Sequence, residues 1–173
     1  MKRSAVVLVC TVVGMGCTRA FAETGKAVIQ ATSEGSTVSG SATLADTSVG
    51  LRVEVEVRGV SPGQHGLHIH QFGGCGDAGK AAGGHYNPGG APHGFFPTDG
   101  AAKAHAGDMG NIDVGADGSG ALTVVLPGVT LGSGAHSVGG RAIILHEKVD
   151  DFGQPTGNAG GRIGCGPIVI TGE

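Results

Sequence analysis

The chain has 173 residues, a length that suggests one domain. Its 36 glycines, single tyrosine and lack of tryptophan disfavour long helices and favour many tight turns. The formal net charge of the full chain is −3. Residues 1–22 contain Lys2, Arg3 and Arg19. Without them the chain has 8 instead of 11 Lys and Arg residues against 14 acidic residues, and its net charge is −6. This balance argues against a nucleic-acid-binding protein, which would carry a basic patch.

The first 22 residues have the pattern of a secretory signal peptide. A positive start and an apolar run over residues 5–16 precede a small-x-small cleavage site, Ala20-Phe21-Ala22. The run is too short to span a membrane, and the rest of the sequence offers no other candidate span. We therefore predict that residues 1–22 are removed and that residues 23–173 form the exported domain. A lipoprotein anchored through Cys17 is the alternative.

The remaining sequence predicts short β-strands. Leu51–Arg58 alternates apolar and charged residues over eight positions, which is typical of a strand with one face in the core and one in water. Turn-forming sequences such as Ser61-Pro62-Gly63 separate further apolar segments. The other candidate strands are residues 27–31, 36–44, 66–70, 121–126, 141–145 and 167–171. This spacing predicts an all-β antiparallel sandwich or barrel.

Two stretches rich in glycine and proline interrupt the strands, at residues 71–110 and 147–166. Loops of this length in a compact domain are usually functional or disordered. The first stretch contains three histidines and Asp108, and the second begins next to His146. We therefore predict two long functional loops that are pinned by metal and by a disulfide.

The segment "HGLHIH", residues 65–70, places three histidines in six positions. His68 and His70 are two residues apart on a predicted strand, so their side chains leave the same face and suit one metal ion. His146 closes another predicted strand and could join them. His65 has the opposite parity, and we predict a structural role for it beside the metal ligands.

A second group of candidate ligands lies on the first long stretch and combines three histidines with a carboxylate: His85, His93, His105 and Asp108. This set matches a tetrahedral zinc site. Imidazole nitrogen also suits copper. The eighth histidine, His136, is interpreted as a surface or hydrogen-bonded residue.

Only two cysteines, Cys75 and Cys165, remain after the predicted leader is removed. In an oxidising compartment they can form one intramolecular bridge. Such a bridge would lower the entropy of the unfolded chain and so stabilise the fold by about 4 kcal/mol. Two unpaired buried thiols are the alternative.

Six segments, taken in order, resemble the signatures of the copper/zinc superoxide dismutase family. They are "GQHGLHIHQFG" (63–73), "GGHYNP" (83–88), "PHG" (92–94), "HAGDMGN" (105–111), "LHEKVDD" (145–151) and "GNAGGRIGCG" (157–166). The leader and the position of Cys75 resemble the exported bacterial branch of the family. The resemblance implies an eight-stranded antiparallel Greek-key β-barrel with two long functional loops.

The resemblance also implies one copper ion and one zinc ion per subunit. The copper ligands would be His68, His70, His85 and His146. The zinc ligands would be His85, His93, His105 and Asp108, with His85 bridging the two metals. Asp150 would hydrogen-bond one histidine of each site and so fix its orientation. Cys75 and Cys165 would form the disulfide within the subunit.

The implied activity is dismutation of two superoxide anions to O2 and hydrogen peroxide, by alternate reduction and reoxidation of copper. His85 would pick up a proton while it stays on zinc. Arg162 would attract and dock the small anionic substrate in a protein that is otherwise net negative. The resemblance places the enzyme in the periplasm, where it would protect against superoxide. A non-enzymatic periplasmic copper/zinc-binding protein on the same fold is the alternative.

The sequence departs from the familiar animal enzymes in two places. The loop over residues 147–161 is short, and of the residues that line the approach there only Lys148 has a counterpart. The stretch between the second and third zinc ligands is longer and contains Phe95 and Phe96, which could pack under the loop or form a partner surface; we favour packing. A homodimer is possible, but dimer contacts vary between branches of the family.

Overall fold

The computed structural model describes residues 22–172. Within this range the strands are β1 (Thr24–Ala31), β2 (Ser39–Thr47), β3 (Gly50–Arg58), β4 (Gly63–His70), β5 (Asp108–Val114), β6 (Gly120–Pro127), β7 (Ala142–His146), β8 (Arg162–Pro167) and β9 (Val169–Gly172). A 3-10 turn covers Lys80–Ala82, and the short helix α1 covers Phe96–Asp99. The predicted signal peptide lies, apart from its last residue, outside the described residues.

Eight of these strands in residues 22–172 close into an antiparallel barrel. Neighbouring strands follow the order β1-β2-β3-β6-β5-β4-β7-β8, and β8 pairs with β1 again. The strand β9 adds to β1 beside β8. The connections from β3 to β4 and from β6 to β7 cross over to strands that are not sheet neighbours, as in a Greek key. The predicted all-β Greek-key barrel is therefore confirmed.

The strand β3 shows how the alternating pattern builds the core. Its apolar residues Leu51, Val53, Val55 and Val57 are each at most 1% exposed. The charged residues between them lie at or near the surface. Burial of each such side chain contributes roughly 1.5–3 kcal/mol to the free energy of folding. The prediction of a half-buried strand over Leu51–Arg58 is confirmed.

The sequence prediction misses two strands, β5 and β8. The first stretch assigned to loop ends within β5, and the second ends within β8. Glycines hide the strand pattern in β8, where Gly164 and Gly166 face β1 closely: a Cβ on either would lie 3.0 Å or less from an atom of that strand. Close packing between backbones, rather than side-chain alternation, therefore specifies β8.

The two long segments, 71–107 and 147–161, are held against β4. The backbone N–H of Ile69 donates to Gly107 O at 2.9 Å, and that of Gly66 donates to Lys148 O at 2.9 Å. Because β4 carries two of the candidate ligands, both segments are fixed beside them.

The disulfide between Cys75 and Cys165 is formed, as predicted. It joins the first long segment to β8 across 90 positions of sequence, with 5.7 Å between the two Cα atoms. None of the helices in residues 22–172 is long and apolar enough to cross a membrane.

The disulfide generates a prediction about stability. Replacing both cysteines, Cys75→Ala with Cys165→Ala, should lower the free energy of unfolding of the metal-free protein by about 2–4 kcal/mol, because the unfolded chain regains the entropy of a long loop. Urea denaturation measures this. Wild-type protein treated with a reductant is the control and should lose a similar amount; an unchanged urea midpoint in both samples would contradict the prediction.

Candidate metal centre

The barrel brings the predicted ligands together by strand pairing. His68 on β4 pairs with Ile144 on β7 and with Asp108, the first residue of β5. His70 forms an isolated bridge with His85 from the first long segment. His146 is the last residue of β7, the neighbour of β4. Candidates that are far apart in sequence therefore meet beside one strand.

Three groups of potential ligand atoms result, and within each group the atoms lie within 4.8 Å of one another; the third, His68, His93 and Asp150, shares one histidine with each of the other two. The first group is His68, His70, His85 and His146. The second group is His85, His93, His105 and Asp108. Every member is buried, and His85 belongs to both the first and the second group. These two groups are the sets proposed from the sequence for copper and zinc.

The first group turns unprotonated nitrogens inward. The Nδ1–H of His70 donates to Gly83 O at 3.0 Å, and the Nδ1 of His146 lies 3.4 Å from Gly160 O. A carbonyl oxygen can only accept, so in each neutral ring the proton sits on Nδ1 and the lone pair on Nε2. The two Nε2 atoms are 3.3 Å apart. Two facing lone pairs at this distance repel each other, and a cation between them would remove the repulsion.

In the second group, potential ligand atoms also face one another, here around the carboxylate of Asp108. Its Oδ1 lies 2.8 Å from Nδ1 of His85 and 3.2 Å from Nδ1 of His105. Its Oδ2 lies 2.8 Å from Nδ1 of His93, yet that contact lacks the direction of a hydrogen bond. A ring nitrogen and a carboxylate oxygen at this distance are arranged as two ligands of one cation would be.

Asp150 links the two groups. Its Oδ2 accepts from Nε2 of His68 at 2.8 Å, and its Oδ1 accepts from Nε2 of His93 at 2.9 Å. Each histidine therefore directs its Nδ1 away from the carboxylate and toward a ligand group. Among the buried side-chain nitrogen and oxygen atoms of residues 22–172, these two Nδ1 atoms are the ones without a hydrogen-bond partner. Since buried polar atoms are normally paired, both fit metal ligation.

Burial keeps three of the candidate histidines neutral. It lowers the pKa of His70 to about 2 and that of His146 to about 3, with like-charged histidines adding to the effect. Burial also lowers the pKa of His85 to about 4, although Asp108 opposes the shift. For His93 burial is outweighed by the neighbouring carboxylates of Asp108 and Asp150, which raise its pKa to about 9. Neutral imidazole is the form that binds metal.

The two carboxylates stay ionised. Burial alone would raise the pKa of Asp108, but hydrogen bonds from His105 and His85 and the close contact with His93 lower it well below its usual range. Burial of Asp150 is likewise outweighed by hydrogen bonds from His68 and His93, which lower its pKa. The second group therefore offers a negative charge to a cation.

A cleft of about 180 Å³ leads to the first group. Its walls include His70, His85, His146, Thr156, Asn158 and Arg162. The guanidinium of Arg162 donates to Gly79 O and to Gly83 O, each at 2.6 Å. Arg162 is thereby fixed to the segment held by the disulfide, with its positive charge beside the candidate ligands.

The comparison with protein families is decisive. The model of the copper/zinc superoxide dismutase (SODC) family matches residues 38–168. The chain belongs to this family. The matched range covers β2 to β8 and every candidate ligand, so the resemblance found in the sequence motifs is confirmed.

Among solved structures, the crystal structure of the clock protein EA4 is similar to this superoxide dismutase family member. The two chains are 35% identical, and the alignment covers 86% of this chain and 94% of that chain, with a TM-score of 0.75.

The structure also places the other residues singled out in the sequence. His65 lies outside both ligand groups, and its Nδ1 contacts the carbonyl oxygen of His146 at 2.9 Å, which agrees with a structural role. His136 is partly exposed and lies outside both groups. Phe96 is 1% exposed and packs in the core, whereas Phe95 is half-buried. Lys148 is exposed and lies outside the lining of the cleft.

The sequence reasoning missed two residues that hold the centre. Asn111 accepts from the backbone N–H of Asp150 at 2.7 Å and donates its amide to Asp150 O at 2.9 Å. Gln154 makes the same double contact with the backbone of His93, at 2.9 and 2.8 Å. Asn111 stands in the motif "HAGDMGN", so its position was a usable signal. Gln154 stands outside the motifs and gave none.

The histidine pKa values predict how acid affects the metal-free protein. His70, His85 and His146 bind protons in the unfolded chain below about pH 6.5 but resist protonation in the folded chain. Their contribution to stability is therefore lost as pH falls from about 6.5 toward 4. His93 is protonated in both states in this window, since its folded pKa is about 9.

We expect the urea midpoint of the metal-free protein to be lower at pH 5 than at pH 7. The variant His146→Gln should show a smaller decrease, because one of the three groups is removed. An equal or higher midpoint at pH 5 for the wild type would contradict the prediction.

Proposed function

We propose that the protein is a superoxide dismutase. It converts two superoxide anions and two protons to O2 and hydrogen peroxide, with one copper ion and one zinc ion per chain. The observation that carries the proposal is the position of Arg162, which lines the same cleft as three histidines of the first ligand group. Family membership supports the same activity.

The two ligand groups support a division between the metals. The first group offers four imidazoles, which suit copper, and the second offers three imidazoles and a carboxylate, which suit zinc. When bound, copper supplies a one-electron redox couple, and zinc supplies a fixed positive charge without redox chemistry.

His85 is suited to moving a proton in this reaction. Its Nδ1 faces Asp108 in the zinc group at 2.8 Å, which leaves Nε2 for the copper group. A proton taken up at Nε2 would therefore not disturb the contact of Nδ1 with the second group.

Arg162 is suited to binding the substrate. The mature chain would be acidic, so a local positive charge is needed to attract an anion. The two backbone contacts of the guanidinium fix its position at the cleft. We expect the reaction rate to fall with rising salt, because screening weakens this attraction.

A non-enzymatic copper/zinc-binding protein on the same fold is the second candidate. The similar structure named as a clock protein supports keeping it, because that name does not describe a dismutase. The Arg162 cleft favours the enzyme, since a metal store has no need of an anion-docking group.

We further propose that residues 1–22 are removed on export to the periplasm and that residues 23–173 are the working enzyme, with attachment through Cys17 as the alternative. The leader pattern in the sequence supports export. A homodimer is compatible with this proposal. The mass of the protein recovered from the periplasm would identify the cleavage site.

The deciding experiment is to purify residues 23–173, determine copper and zinc on the sample, and measure superoxide dismutation. We expect about one copper and one zinc per chain, as the two ligand groups imply, together with fast activity. Full metal content without activity would favour the second candidate.

Replacing the zinc-group carboxylate should empty that site first. We expect Asp108→Ala to lose about 10–100-fold or more in zinc affinity, because the group loses its negative ligand. Zinc content after dialysis measures this. Asp113→Ala is the matched control, since Asp113 is an exposed acid on the same strand. Stoichiometric zinc in Asp108→Ala would mean that Asp108 is not a ligand.

Removing the docking charge should reduce activity without removing metal. We expect Arg162→Ala to lower kcat/KM about tenfold or more at low salt, since local charge raises association rates by this order. Arg58→Ala removes the same charge from an exposed site on β3 and is the control. Unchanged low-salt activity in Arg162→Ala would argue against docking by this residue.

A further inference from the structure

Phe152 has an unusual conformation for an aromatic residue. Its φ is +58°, in the left-handed region that bulky side chains rarely adopt. The other positive-φ residues besides glycine in residues 22–172 are Asp77, Ala78 and Asn158. The side chains of Asp and Asn tolerate this region because they are short and polar, and that of Ala is small. Phe152 is also 43% exposed. A strained and exposed aromatic side chain suggests a role that its own packing does not explain.

The ring of Phe152 lies over a candidate zinc ligand. Its centroid is 6.3 Å from that of His93, with an angle of 20° between the two planes. Phe95 packs edge-on against the ring of Phe152, with 6.2 Å between the ring centroids and 66° between the ring planes. The side chain of His93 is 0% exposed. Phe152, supported by Phe95, therefore lies between His93 and solvent.

The backbone around Phe152 is fixed to the same histidine. The N–H of Phe152 donates to Oδ1 of Asp150 at 2.8 Å, and that oxygen accepts from Nε2 of His93. Two residues further on, the Gln154 side chain bonds both the N–H and the carbonyl of His93. The turn from Asp150 to Gln154 thus contacts the ring and the backbone of His93 together.

We propose that Phe152 is a positioning residue that covers His93 and slows the loss of zinc. The proposal rests on the assignment of His93 to a zinc site under the proposed function, but it does not depend on dismutase activity. The positive φ of Phe152 is the conformation in which its ring stacks on His93.

The physical basis is access and orientation. Zinc leaves when a ligand rotates away and water or a chelator takes its place. A parallel aromatic ring hinders rotation of the imidazole, and an apolar cover keeps water from the ligand. Phe95 limits the movement of Phe152 itself.

The test uses the metal-loaded protein and measures zinc transfer to a chromogenic chelator at pH 7. We expect Phe152→Ala to release zinc about tenfold faster than wild type, the lower end of the effects seen when residues around metal ligands are changed. Phe152→Tyr keeps the ring and should restore the wild-type rate. Val149→Ala is the matched control, because Val149 is 42% exposed on the same segment, and its rate should equal that of wild type.

Phe152→Gly separates cover from simple stabilisation. Glycine accepts the left-handed backbone without strain, so the metal-free variant should unfold at a urea midpoint no lower than that of metal-free Phe152→Ala. Its zinc release should nevertheless be as fast as that of Phe152→Ala. If faster release came only from a general loss of stability, the variant with the higher urea midpoint would release zinc more slowly than the other.

Wild-type zinc release in Phe152→Ala, or equal acceleration in Val149→Ala, would overturn the proposal. Fast release in Phe152→Tyr would overturn it as well, since the ring would then not be the reason. If the wild-type protein binds no zinc, the zinc site and this proposal both fail. Stoichiometric zinc with unaltered release in Phe152→Ala defeats this proposal alone.

Discussion

The buried carboxylate of Asp150 is the interaction on which the centre depends. A carboxylate removed from water is costly unless every lone pair finds a donor. Asp150 has such donors in His68 and His93 and in the N–H of Phe152. Because both imidazoles must donate from Nε2, both must present Nδ1 to the ligand groups. The ionised carboxylate of Asp150 thereby determines, for one histidine in each ligand group, that Nδ1 is the nitrogen left free to bind a metal.

The barrel and the disulfide supply the rigidity that such selection needs. Gly83 O accepts from Nδ1 of His70 and from Arg162, so one carbonyl sets the position of a candidate ligand and of the guanidinium. The segment that carries Gly83 is joined by Cys75 to β8, which begins at Arg162. Ligand, guanidinium and disulfide therefore form one connected unit, and a shift of the segment would move all three.

The candidate site could be predicted from the sequence better than the strands around it. The histidine and aspartate side chains are themselves the candidate ligands, so their spacing in the sequence predicts the site directly. The alternation of apolar and charged residues predicts β3 in the same way. The sequence of β8 lacks such a pattern, because Gly164 and Gly166 allow its backbone to lie close to β1, and this contact exists only in the folded barrel. The contacts of Gln154 and Phe152 with His93 join positions about 60 residues apart. No local pattern encodes such contacts, since they depend on how two long segments meet.

The same geometry implies that metal binding and folding are coupled. In the first group, Nε2 atoms of His70 and His146 face each other at 3.3 Å with lone pairs inward. In the second, Asp108 faces Nδ1 of His93 without a hydrogen bond. The barrel core and the disulfide must hold these arrangements against repulsion, or against proton uptake, as long as no cation is bound. Ions bound at these groups would add their binding energy to the stability of the fold, and under the proposal above Phe152 would slow the loss of that stability.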